Sequence, residues 1–234
     1  MSQTENALTP ASERSLVAEM KLYYDLALPQ ADAPAPLLIA LHGYGGNKRQ
    51  MMREGQLIAP RGFAVASLQG PHQQMKEARE EGGPFRYAFG WLTNFRPTES
   101  IALHHRALLD LIEELSAEAL IDPARVFLLG FSQSCALNYR FAFTHTQSLR
   151  GVVGICGGLP GDWETGAAYK ATPASVLHLS GTRDEFYTPA RTADYLERLR
   201  TRARDVEVKA YDAAHEITQP MREHIRAWLQ ERAG

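Results

Sequence analysis

The sequence has only two cysteines, Cys135 and Cys156, in 234 residues. Both lie in apolar stretches, so no disulfide framework organises the chain. Each thiol is expected to be a small buried hydrophobe, and a reducing cytoplasm is the expected compartment. No run approaches the ~18 consecutive apolar residues that a membrane span needs. Met1 to Arg14 is polar and lacks an apolar segment of signal-peptide type, so no secretory signal is expected. Excess charge is lacking too: the net charge is −2, which gives no electrostatic case for nucleic acid or an anionic membrane as partner. No His/Cys/Asp cluster with metal-ligand spacing stands out, and no metal or organic cofactor is expected. Internal repeats, linkers and low-complexity segments are missing as well.

What is present is ordinary globular material, 44% apolar and 22% charged. A polar tail over 1–14 followed by one domain over 15–234 is the expected organisation. Ser15 to Leu28 reads as one or two early strands, and Pro29 to Pro36 as a loop. Short apolar runs then recur at Leu37–Leu41, Phe63–Leu68, Val126–Leu129, Val152–Cys156, Ser175–Leu179 and Val206–Tyr211. Runs of this kind suit strands buried on both faces of a parallel sheet. Between them lie helical patterns. Thr98–Glu118 carries Ile101, Leu108, Leu111, Ile112 and Leu115 on one face. Ser134–Thr146 follows, then a helix starting at Thr188-Pro189 with Thr188 as cap and Tyr195, Leu196 and Leu199 inward. A closing helix carries Met221, Ile225, Trp228 and Leu229. The alternation predicts an α/β fold with a mostly parallel central sheet and helices on both faces. In such sheets, ligands bind beyond the C-terminal strand ends.

One strand end stands out. Arg125 to Ser134 runs from a buried strand through Gly130-Phe131-Ser132-Gln133-Ser134 into a helix. This is close to the Gly-x-Ser-x-Gly turn that exposes a nucleophilic serine, in the strand–turn–helix setting that turn requires. Ser134 replaces the second glycine with another small residue, assigned a packing role. A serine hydroxyl needs a base. Of the eight histidines, only His178, His215 and His224 lie near or beyond the next candidate acid. His178 falls inside a strand and His224 inside the last helix. His215 falls in a loop at a strand's C-terminal end and is the expected base. The acid is expected at Asp184, after Gly181-Thr182-Arg183; Glu185 and Asp162 are its competitors, and any of the three could simply shape a turn. Acyl transfer also needs donors for an oxyanion. The backbone amides of Gln133 and of Tyr44, in the loop His42-Gly43-Tyr44-Gly45-Gly46, are the candidates. His42 itself reads as structural.

Taken together, Leu41-His-Gly-Tyr-Gly-Gly-Asn47, Gly130-Phe-Ser-Gln-Ser134, Gly181-Thr-Arg-Asp184 and Ala214-His215 resemble the phospholipase/carboxylesterase family of α/β-hydrolases, which includes acyl-protein thioesterases and small bacterial carboxylesterases. The resemblance covers about residues 36 to 232. It implies the α/β-hydrolase fold, a catalytic triad of Ser132, Asp184 and His215, oxyanion donors at Tyr44 and Gln133, and no cofactor. Members usually have glycine where Ser134 stands, and an acidic residue often follows the aromatic segment that Phe89-Gly90-Trp91-Leu92 resembles. Arg outnumbers Lys, a bias consistent with a GC-rich bacterial genome. The expected activity is hydrolysis of a small-molecule carboxylic ester. Thioester or lysophospholipid hydrolysis is the alternative, and a hydrolase-fold binding protein without catalysis the more distant one. Oligomeric state is not legible, and a homodimer is compatible with the sequence.

Gly70 to Arg96 is a long stretch, expected to be irregular and to lie on the active-site face. Its rings, Trp91 with Leu92 first, are expected to wall an apolar acyl pocket, the competing reading being that they anchor the loop to the core. No amphipathic lid helix is visible in it. Short to medium acyl esters are therefore the expected substrates.

Overall fold

The computed structural model describes residues 13–30, 34–77 and 80–234. The polar tail expected over 1–14 lies, through residue 12, outside the described residues. So does the part of the Pro29–Pro36 loop at 31–33.

Among the described residues, seven strands form the central sheet in the order β1-β3-β2-β6-β7-β8-β9. They are β1 (Tyr24–Ala27), β2 (Ala35–Leu41), β3 (Ala64–Leu68), β6 (Ile121–Phe131), β7 (Gly151–Ile155), β8 (Ser175–Gly181) and β9 (Val206–Tyr211). Only β1 is antiparallel, against β3; every other pairing is parallel. Consecutive residues in the apolar runs serve opposite faces. Leu37, Ile39, Leu41, Val126, Leu128, Val152 and Val176 pack into one core. Leu38, Ala40, Phe127, Leu129, Val153, Ile155 and Leu177 pack into the other. A strand with two buried faces therefore cannot alternate in hydrophobicity, which is why these segments read as continuous apolar runs.

Helices α2 (Pro97–Ala117), α3 (Gln133–Thr144) and α5 (Tyr195–Arg200) cover the first face, and α1 (Lys48–Ile58) and α6 (Gln219–Arg232) the second. The α6 stripe is Met221, Ile225, Trp228 and Leu229, as its spacing predicts. On α2 the buried stripe is Ser100, His104, Leu108, Leu111 and Leu115, with Ile101 and Ile112 only half-buried at its margin. Pro189 opens a short helix, α4 (Pro189–Thr192), but the Thr188 side chain makes no capping bond. Ser15 to Leu28 contributes a single strand.

Gly70 to Arg96 departs from expectation. It contains a two-stranded antiparallel sheet, β4 (His72–Lys76) with β5 (Arg86–Gly90), in the register His72↔Gly90 to Lys76↔Arg86. Phe89 of β5 exchanges backbone hydrogen bonds with Gly45 and Gly46, which ties this small sheet to the loop after β2.

Candidate active site

The parallel register brings the C-terminal strand ends level: Leu41 pairs with Gly130, Phe131 with Ile155, Ile155 with Leu179, and Gly181 with Tyr211. The residues that follow, His42 to Gly46, Ser132, Cys156, Asp184 and His215, therefore gather along one edge of the sheet.

Ser132 sits between β6 and α3 at φ 58° and ψ −114°, a conformation that side-chain-bearing residues rarely adopt. Its amide donates to Ile155 O at 2.9 Å, and its carbonyl accepts from Cys135 N at 3.1 Å. The small neighbours are a steric requirement. A Cβ on Gly130 would lie 2.6 Å from the Asn138 side-chain amide, and one on Gly157 2.3 Å from Cys135 Sγ and 2.6 Å from Ser132 O. Ser134 does more than fit. Its buried hydroxyl accepts from Phe131 N at 3.0 Å and donates to Leu41 O at 2.9 Å, stapling the turn to β2.

His215 Nε2 lies 3.0 Å from Ser132 Oγ, and Nδ1 lies 2.9 Å from Asp184 Oδ2. A carboxylate accepts, so Nδ1 carries the proton and Nε2 is left as the acceptor facing the serine. Asp184 is 2% exposed, and its Oδ1 accepts from the Phe186 and Tyr187 amides, both at 2.9 Å. Burial raises its pKa, but the Tyr187 amide, His215 and the Phe186 amide together outweigh that and hold it below the usual carboxylate value. The His215 ring is packed by Phe131 and Phe186, each with its centroid 4.9 Å away, and by Tyr187 stacked at 6.0 Å. Phe186 and Tyr187 were not singled out from sequence; their position directly after Asp184 is the signal that could have found them.

The competing acids stand elsewhere. Asp162 is held by Arg140, with Nη2 to Oδ1 at 2.7 Å, and accepts from the Tyr169 hydroxyl at 2.8 Å. Glu185 is exposed. The amides of Tyr44 and Gln133 have no acceptor among the described residues. Gly43 lies against the serine, since a Cβ there would be 3.1 Å from Ser132 Cβ.

Trp91 does not wall a pocket. Its indole is 1% exposed, donates from Nε1 to His42 O at 2.9 Å and packs against His42 and His104. Leu92 is half-buried, packed on the same core. The ring is needed under the loop, so its apolar surface is spent there. A cleft of about 360 Å³ opens on the other side of Gly43 and Phe131, the neighbours of Ser132, with Tyr44, Met51 and Ile217 in its walls and Arg53 and Glu54 also in its lining.

Cys135 Sγ is buried against Gly130 O and Ile155 O, and burial pushes its pKa far up. Among the described residues, one group has ligand atoms close enough for a metal: Cys156, Asp184 and His215, mutually within 4.8 Å. Its donors are engaged otherwise. His215 Nδ1 and Asp184 share a hydrogen bond, and burial first, then Asp184, pushes the Cys156 thiol up to about 12, so it carries its proton.

Residues 27–232 match the family model described as Phospholipase/Carboxylesterase, and the chain belongs to that family. A putative esterase, NocK, from Nocardia uniformis subsp. tsuyamanensis is 30% identical over 187 residues, which are 76% of this chain and 49% of that protein. The chain thus spans about half the length of this curated relative. Among solved structures, esterase PE8 superposes with a TM-score of 0.71 at 22% identity, covering 91% of this chain and 100% of that one. The Bacillus cereus carboxylesterase gives 0.70 at 19% identity, covering 90% and 94%, and Zea mays acyl-protein thioesterase 2 gives 0.66 at 17%, covering 91% and 99%. These likenesses establish the α/β-hydrolase fold. No helix among the described residues is long and apolar enough to cross a membrane.

Proposed function

We propose that the chain is a serine carboxylesterase acting on small-molecule esters with short to medium acyl groups through an acyl-enzyme. Ser132 is the nucleophile, His215 the general base and Asp184 the carboxylate that fixes the imidazole. The observation that carries this reading is the unbroken series Ser132 Oγ, His215 Nε2 and Nδ1, Asp184 Oδ2, with links of 3.0 and 2.9 Å. His215 takes the hydroxyl proton as Oγ attacks the ester carbonyl, and Asp184 stabilises the imidazolium. The Tyr44 and Gln133 amides receive the oxyanion. The imidazolium returns its proton to the leaving alcohol. Water, deprotonated by His215, then releases the acid and Ser132.

The size preference rests on the cleft of about 360 Å³, near the lower end of the ~300–1,000 Å³ common for small-molecule sites. Its apolar walls, Met51, Phe131 and Ile217, suit an acyl chain, and Arg53 and Glu54 put charge in the same lining. A cytoplasmic location fits two buried free thiols. The test is labelling with a fluorophosphonate, followed by nitrophenyl esters from acetyl to palmitoyl. Labelling at Ser132, absent in Ser132→Ala, with rates greatest at short and medium chains is expected. An unlabelled parent protein would refute the nucleophile. A rate maximum at palmitoyl, rising as that substrate aggregates, would refute the size preference.

A further inference from the structure

We propose that His42 and Trp91 are positioning residues of the oxyanion hole, tying the Tyr44 amide to the Gln133 amide; this rests on the serine-hydrolase reading above. The two amides come from different loops, one after β2 and one at the start of α3, and must converge on a single oxygen. The β2 loop cannot hold that geometry unaided, because it carries Gly43, Gly45 and Gly46, with Gly45 at φ 78°.

The brace closes from Gln133 back to the peptide that carries the Tyr44 amide. The Gln133 side chain accepts from Trp91 N at 2.8 Å and donates from Nε2 to Leu92 O at 2.9 Å. Trp91 Nε1 donates to His42 O at 2.9 Å, and its ring packs on the imidazole. Gly70 N donates to His42 Nε2 at 3.0 Å, so Nε2 bears no proton and Nδ1 must. Burial favours that neutral ring, lowering its pKa. Nδ1 then donates to Gly43 O at 2.8 Å, and Gly46 N donates to the same carbonyl at 3.1 Å. The Gly43 carbonyl and the Tyr44 N–H are the two ends of one peptide unit. Two donors on its oxygen fix the plane of that unit and polarise its N–H toward the oxyanion. Trp91 thus acts on the reaction from beneath the site, without touching substrate.

Three variants decide it: Trp91→Phe, which removes the Nε1 donor together with part of the buried indole and keeps a six-membered ring in its place; His42→Leu; and His42→Asn, whose amide nitrogen can stand in for Nδ1. Active sites are counted with fluorophosphonate, and all rates are taken per active site. The readouts are kcat, KM, and the Ki of a trifluoromethyl ketone, which forms an oxyanion on Ser132, against the Ki of the matching alcohol, which does not. Losing one oxyanion donor costs about 10²–10³-fold in kcat, so a misdirected donor should cost roughly tenfold in Trp91→Phe and about a hundredfold in His42→Leu. The ketone Ki is expected to rise in parallel, with KM and the alcohol Ki within about twofold, and His42→Asn to recover most of the loss in His42→Leu. If His42→Leu does not fold, Trp91→Phe and the ketone-to-alcohol ratio in His42→Asn still decide. Parental kcat in Trp91→Phe, equal shifts in ketone and alcohol Ki, or a folded His42→Leu as active as His42→Asn would overturn the brace. A parent protein that no fluorophosphonate labels would instead overturn the hydrolase reading on which it rests.

Discussion

Two serines, two positions apart, should fail in opposite ways. Ser134→Ala removes a buried hydroxyl that accepts from Phe131 N and donates to Leu41 O. Each buried group left without a partner costs about 1–3 kcal/mol. The Leu41 carbonyl has a second lone pair and loses less, so a total of about 2–3 kcal/mol is expected. For a chain of this size, 1 kcal/mol moves Tm by roughly 2–4 °C, giving a drop of about 5–10 °C. Turnover per active site should stay close to parental, because the Ser132–His215–Asp184 series does not pass through Ser134. Ser132→Ala removes a half-buried hydroxyl with one side-chain bond, so Tm should move by only about 2 °C while kcat falls by several orders of magnitude. Thermal melts with fluorophosphonate titration separate the two effects. A dead Ser134→Ala beside an active Ser132→Ala would move the nucleophile by two residues. An unchanged Tm in Ser134→Ala would mean that the hydroxyl does not staple the turn.

The remaining predictions concern protons and thiols. Asp184→Asn should lower kcat about 10³–10⁴-fold by upsetting the His215 tautomer, while Asp162→Asn, which breaks only the pairing with Arg140 and Tyr169, should keep kcat and lose stability; the reverse order in kinetics would place the acid after β7. Burial pushes the His178 pKa down to about 4 from the ordinary imidazole value of 6.5. Between those values the unfolded chain binds more protons than the folded one, so stability falls as pH drops from about 6.5 toward 4. His178→Asn should therefore narrow the stability difference between about pH 7 and pH 5 by about 2 kcal/mol in urea melts, and an unchanged difference would show that His178 titrates normally. Cys135 and Cys156 should resist alkylation in the native protein and react only on unfolding, because burial keeps both thiols protonated; rapid labelling with full activity lost would contradict this.

The parts of the fold legible in the sequence are those where burial leaves no freedom. Leu37–Leu41 and Val126–Leu129 are buried on both faces, so hydrophobicity alone marks them as sheet interior. The family match was equally readable from four short motifs, because a serine at φ 58° between a strand and a helix demands small neighbours at fixed offsets. The β4–β5 sheet was not legible. Only Ala88 and Gly90 of its ten residues are buried, so neither strand has an apolar face to show. The burial of Trp91 was hidden for a related reason. A tryptophan after a loop strand has the same composition whether its ring faces a substrate or the core, and the deciding partner, the main-chain oxygen of His42, has no sequence signature. His104 likewise takes a stripe position on α2 that reads as polar.

The strain at the site is shared by the sheet edge rather than carried by one turn. Ser132 and Cys156 follow neighbouring strands, and both have positive φ without being glycine. Such conformations cost about 1–3 kcal/mol each and persist only where the surroundings over-determine them. Here each is pinned by the next strand: Ser132 N donates to Ile155 O, Cys156 N to Leu179 O, and Thr182 N, just past β8, to Tyr211 O. The nucleophile's turn leans on β7, the Cys156 turn on β8, and the turn before Asp184 on β9. That order also joins the three side chains of the series, since Ser132 follows β6, Asp184 follows β8 and His215 follows β9. A fault at β9 would thus reach Ser132 twice, through His215 directly and through three successive strand-end hydrogen bonds. Disruption of this outer edge, far from Ser132 in sequence, should therefore be felt as lost geometry at the serine before the sheet itself gives way.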